Sequence, residues 1–104
     1  MLLFLKKHSF VSVDTDIKDF RKIFNNTQPE ILIHWTGNIS ELAYFIKVLH
    51  NDLKLIKDIQ SHIWKVTANC FVDKNKQTFD WEKFRGQKKP AKAILLEKAA
   101  NIVK

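Results

Sequence analysis

The sequence predicts a mainly α domain of the helix–turn–helix kind, with at most a short β element. Three observations predict it. Apolar residues recur at helical spacing in five stretches, about 15–25, 38–50, 58–67, 77–85 and 90–102. Only two Gly and two Pro occur in 104 residues, so few breaks interrupt those stretches. The net charge of +7 is uneven: residues 1–73 carry nine basic and eight acidic side chains, and residues 74–104 carry nine and three. An excess of +6 in the last third points to a polyanionic partner, nucleic acid before an anionic membrane. The length fits one domain of ~100–150 residues. A hydrophobic content of 45% with 12% aromatics excludes a disordered tail.

The first segment, Phe4 to Val13, is apolar but broken by Lys6-Lys7-His8, and reads as a strand or the tail of a helix, a strand or irregular lead-in being preferred. Asp14 or Thr15 caps the first helix, with Asp16 and Asp19 at the positive end of its dipole. Ile17, Phe20 and Phe24 form its apolar stripe, and Asn25-Asn26-Thr27 stops it. Residues 1–28 thus form an N-terminal extension with a short helix, and residues 29–104 form the main domain. Gln28-Pro29-Glu30 is a turn. Ile31 to Trp35 is extended, because two of its three aliphatic residues are β-branched.

Asn38 with Glu41 three positions on approaches a capping box. The helix that follows carries Ile39, Leu42, Ile46 and Leu49 on one face and ends near His50-Asn51-Asp52. Trp35 is predicted to anchor the core with its N–H satisfied, and Gly37 to supply a backbone angle that other residues resist. Leu53 to Ile56 alternates like a tiny strand. Asp58 caps the next helix, whose apolar face is Ile59, Ile63 and Val66, joined by His62. Asp73-Lys74-Asn75-Lys76 is turn chemistry. Gln77 to Arg85 forms a short amphipathic helix ended by Gly86. Pro90 opens the last helix, with Ala91, Ile94, Leu95, Ala99 and Ile102 as its apolar face.

Several chemistries are excluded. Two glycines cannot make a dinucleotide-binding or nucleotide phosphate loop. Cys70 has an apolar flank and no strained elbow, so it reads as a buried, inert thiol. One cysteine also fits a reducing cytoplasm. His34, His50 and His62 lack zinc spacing, and His50 suits the carbonyls at a helix end. No metal, cofactor or enzymatic activity is expected. The apolar run Met1–Leu5 is too short for a membrane span of ~20 residues, and its lysines follow rather than precede it.

The basic third carries the functional reading. In a helix–turn–helix one helix fixes orientation and a second enters the major groove, while cations grip phosphates on either side. The Asp58–Thr67 helix is the expected support and the Gln77–Arg85 helix the expected reader. Lys74, Lys76, Lys88, Lys89 and Lys92 flank it as phosphate clamps, and Lys83 adds charge on the reader itself. Gln77, Thr78 and Arg85 are types that read base edges. Four to six phosphate contacts predict a log–log salt slope of about −4 to −5.

The run Ile33-His34-Trp35-Thr36-Gly37-Asn38, then Glu41-Leu42 and Leu49-His50, resembles the C-terminal domain of the RteC family. These are regulators carried on conjugative transposons of Bacteroides and relatives. Gln77-Thr78-Phe79, Arg85, Lys88-Lys89 and the closing Ile94-Leu95-Leu96-Glu97 are similar to later parts of that pattern. The resemblance covers about residues 29–104. It implies a winged-helix-like, DNA-binding transcription regulator linked to excision or transfer of a mobile element. It also implies that the family's larger N-terminal domain is absent or reduced to residues 1–28. The expected partner is double-stranded DNA, with a homodimer mate or a full-length relative as protein partner. The alternative reading is a non-enzymatic interaction or dimerisation module with an incidental basic surface, docking through Met1–Leu5.

Overall fold

The computed structural model describes residues 1–23, 29–52, 63–84 and 86–101. Its order is α1 (Leu2–Lys7), α2 (Ile17–Lys22), β1 (Ile33–His34), α3 (Ile39–Lys47), α4 (Ile63–Cys70), β2 (Phe71–Val72) and α5 (Ala93–Asn101). A π turn, Val48–Asp52, extends α3, and a 3₁₀ turn, Trp81–Phe84, precedes α5. The fold is mainly α, as the apolar periodicity predicts. The extents are 30 × 28 × 24 Å.

The capping box at α3 is complete. Asn38 Oδ1 accepts from Glu41 N at 2.9 Å, and Asn38 N donates to Glu41 Oε1 at 2.8 Å. Asp16, rather than Asp14 or Thr15, caps α2, its carboxylate accepting from Lys18 N at 2.8 Å. Phe24 and the Asn25–Thr27 stop lie outside the described residues, as do Gln28, the Leu53–Ile56 strand, Asp58, Ile59, His62 and Ile102.

Further expectations are corrected. The N-terminal segment is helical and closes on Ser9, which takes a left-handed φ of 61°. Ser9 N donates to Lys6 O at 3.1 Å and Phe10 N to Leu5 O at 2.9 Å, the paired bonds of a Schellman stop. Leu5 and Phe10 both belong to the hydrophobic core. The described part of the predicted Gln77–Arg85 helix, residues 77–84, is not α-helical: Thr78 pairs antiparallel with Val72, and helical turns begin only at Trp81. α5 buries Ala99 and packs Leu95 on the core as predicted, but its buried side is completed by Ala93, Leu96 and Ala100, while Ala91 is exposed and Ile94 is 66% exposed.

A narrow β strip crosses the middle. β1 and β2 are parallel, with Ile33 opposite Phe71 and His34 opposite Val72. Val11 bridges to Trp35 on one side and Thr78 to Val72 on the other. Around it the core gathers on Trp35, which is fully buried. Its ring stacks on Phe10 and Phe45 at 5.7 and 5.8 Å and meets Phe71 edge-on at 6.1 Å. Its Nε1 donates to Asn38 O at 2.9 Å, as a buried indole requires. Leu2, Leu5, Phe10, Val11 and Phe20 share this core, so the N-terminal residues pack with the rest.

Gly37 answers to space rather than to backbone angle, since its φ is not positive. A Cβ there meets Glu41 Oε1 at 2.7 Å, Trp35 Nε1 at 3.0 Å and Phe10 Cδ1 at 3.2 Å. Cys70 is buried, and desolvation pushes its thiol up to about 11.

Candidate nucleic-acid interface

Of the predicted basic residues, Lys74, Lys76, Lys88, Lys89 and Lys92 stand on non-helical segments between packed elements. Val72 and Thr78 pair across a tight loop whose geometry is set by Asp73. Asp73 Oδ1 accepts from Asn75 N at 2.8 Å and Gln77 N at 2.9 Å, and Asp73 N donates to Gln77 O at 2.9 Å. Lys76 completes the reversal with a left-handed φ of 63°. This is the three-residue hairpin pattern with its last loop residue left-handed. Lys74 and Lys76 therefore stand exposed at a hairpin tip.

The tip borders the start of α3. Lys74 and Asn75 line a cleft with Thr36, Gly37, Asn38, Ile39, Phe79 and the carboxylate of Asp73, which the loop's own backbone N–H groups already engage. Lys92 lies near the same turn, its Nζ 5.9 Å from the Phe10 ring centroid. Phe10 adjoins Gly37 and accepts from Thr36 N at 2.8 Å through its carbonyl. Lys89 reaches Tyr44, further along α3, with Nζ 5.9 Å from the ring. Tyr44 in turn donates to Glu97 Oε1 at 2.9 Å, which ties α3 to α5 beneath that lysine. Lys74 and Lys92 thus border the Thr36–Asn38 turn that leads into α3, and Lys89 lies past the middle of that helix, at Tyr44.

The other predicted residues stand apart from this trio. Gln77 is exposed, with its backbone held by Asp73. Thr78 faces a second cleft, on the α4 side. Lys83 is exposed on the 3₁₀ turn, and its carbonyl accepts from Gln87 Nε2 at 2.8 Å. Lys88 is exposed on the segment leading to α5. Arg85 lies outside the described residues.

Sequence reasoning missed Lys65 and Asn69. Both are exposed on α4, four residues apart and so one above the other on one face. The second cleft, of about 410 Å³, is lined by Lys65, Ala68, Asn69, Thr78, Phe79 and Trp81. Lys65 Nζ sits 5.0 Å from the Trp81 ring centroid, within cation–π range. The signal was partly legible: Lys65 faces away from the Ile59, Ile63 and Val66 stripe, but Asn69, three residues after Val66, falls at its edge.

Among the described residues no group of three or more His, Cys, Asp or Glu is arranged to hold a metal ion, and no helix is long and apolar enough to cross a membrane. Set against known family models, curated proteins and solved structures, the chain matches none.

Proposed function

We propose that this chain is a non-enzymatic, DNA-binding transcription regulator of a mobile element, akin to the C-terminal domain of the RteC regulators it resembles. The observation that carries the DNA reading is the trio of lysines along α3, Lys74 and Lys92 at the turn before it and Lys89 at Tyr44. Such cations, on segments braced by a packed core, suit a phosphate backbone, which fixes position and supplies most of the affinity. We read α4 as one helix of the DNA-binding unit, and the Val72–Thr78 hairpin as a wing with Lys74 and Lys76 at its tip. A reducing cytoplasm is the compartment that fits a single buried thiol.

The test is retention of random duplex DNA. Changing Lys88, Lys89 and Lys92 to Glu is expected to abolish retention while leaving the circular dichroism spectrum unchanged. Retention by that triple variant at wild-type strength would overturn the reading.

A second reading has its own observation. Leu3 on α1 is 81% exposed and Ile94 on α5 is 66% exposed, on helices that pack together. They suit association with a second copy or a longer relative. Leu2 and Leu5 are buried, so the test is Leu3→Ser with Ile94→Ser rather than removal of the N-terminus. Association lost with DNA retention kept would separate this surface from the DNA-binding one.

A further inference from the structure

We infer that α4, through Lys65 and Asn69, is the helix that faces the DNA duplex, in place of the Gln77–Arg85 segment. The inference rests on the DNA-binding reading above and deepens it by naming the element that meets the bases.

A reading element must be regular, exposed along one side and firmly seated on the other. α4 meets each condition. It has eight residues, hence a length of about 12 Å, comparable with the width of the major groove. Its inner side is held by buried Thr67 and Cys70 and by Trp64, whose ring stacks on Phe84 at 5.4 Å. Its outer side presents Lys65 and Asn69. The 3₁₀ turn has only four residues, Trp81–Phe84, and its Phe84 is fully buried.

The chemistry of that side is suited to nucleic acid. Lys65 is a phosphate-binding cation, poised on the Trp81 ring rather than paired with a carboxylate among the described groups lining the cleft. Asn69 is the side-chain type that pairs in bidentate fashion with adenine, and Thr78, across the cleft, suits the thymine methyl. Two carboxylates lie on the adjoining turn. Asp80 is engaged, its Oδ1 accepting from Glu82 N at 3.1 Å, and Glu82 is not among the residues that line the cleft. The hairpin adjoins the same cleft through Thr78, so Lys74 and Lys76 at its tip would reach the flanking backbone while α4 meets the bases.

The test uses fluorescence anisotropy with a labelled random duplex pool, followed by selection from that pool. Lys65→Ala is expected to weaken binding on the order of tenfold and to reduce the salt slope by about 1. Asn69→Ala is expected to leave binding to the unselected pool nearly unchanged but to flatten base preference in the selected one. If the wild type binds, Lys88, Lys89 and Lys92 variants lose binding, and the two α4 variants match the wild type in affinity and preference, the assignment of α4 is wrong and the DNA reading stands. If the wild type retains no duplex at low salt, the DNA reading itself fails and this inference falls with it. Circular dichroism of both α4 variants, whose altered side chains are solvent-facing, excludes unfolding as the cause.

Discussion

The indole N–H of Trp35 donates to the carbonyl of Asn38, the residue whose side chain caps α3. One bond thereby joins the centre of the core to the start of the helix about which Lys74, Lys89 and Lys92 are arranged. Trp35→Ala is expected to cost about 3–5 kcal/mol, since it empties the space between Phe10, Phe45 and Phe71. Asn38→Ala is expected to cost only ~1 kcal/mol, by loss of the cap. Urea unfolding of both variants checks the ranking, and equal losses would show that the Trp35 contacts count for little.

Gly37→Ala tests the claim that this glycine is required for space. The added methyl meets the Glu41 carboxylate at 2.7 Å and the Trp35 indole nitrogen at 3.0 Å, so the capping box must give way. The expected loss is about 1–3 kcal/mol, typical of over-packing. A variant as stable as the wild type would show that Glu41 swings aside freely.

At Lys76 the expectation has the opposite sign for folding. A β-carbon in the left-handed region carries a cost that glycine avoids. Lys76→Gly is therefore expected to gain about 0.5–1 kcal/mol of stability in thermal unfolding. The same variant loses a charge from the hairpin tip, so its DNA affinity is expected to fall as its melting temperature rises. A parallel rise in both would remove Lys76 from the interface.

Cys70 gives a pH dependence. Burial raises its thiol from 9.0 to about 11, so below 9 both folded and unfolded chains hold the proton. Between those values the unfolded chain releases it and the folded one does not, which favours unfolding. Stability is expected to fall as pH rises from about 9 towards 11, and Cys70→Ala is expected to remove that share of the fall. Denaturant midpoints across this range check it. Equal pH slopes in the two proteins would mean that the thiol is not coupled to folding.

What was legible in the sequence was what local chemistry decides. Asn38 and Glu41 lie three residues apart and announce their own helix, and the Ile39, Leu42 and Ile46 stripe needs no distant partner. Trp35 is too large and apolar to stay outside. The misreadings came from tertiary choices. α1 stops at Ser9 in a conformation usually left to glycine, so no punctuation marked its end. Gln77 and Thr78 were claimed by the hairpin through Asp73 and Val72, which left one 3₁₀ turn where periodicity promised a helix. In α5 the small side chains of Ala93, Ala99 and Ala100 are buried, while the bulkier Ile94 faces outward. Hydropathy alone ranks those residues the other way. The lysines were evident from composition, but their grouping was not: Lys74 and Lys92 are separated in sequence and approach the Thr36–Asn38 turn through the hairpin and the lead-in to α5.

The most direct measurement is the affinity for duplex DNA as a function of salt. The account predicts binding whose logarithm falls against log salt with a slope of about −4 to −5, and a slope shallower by about 3 when Lys74, Lys89 and Lys92 are all changed to Ala. A flat dependence, or a triple variant with the wild-type slope, would contradict it.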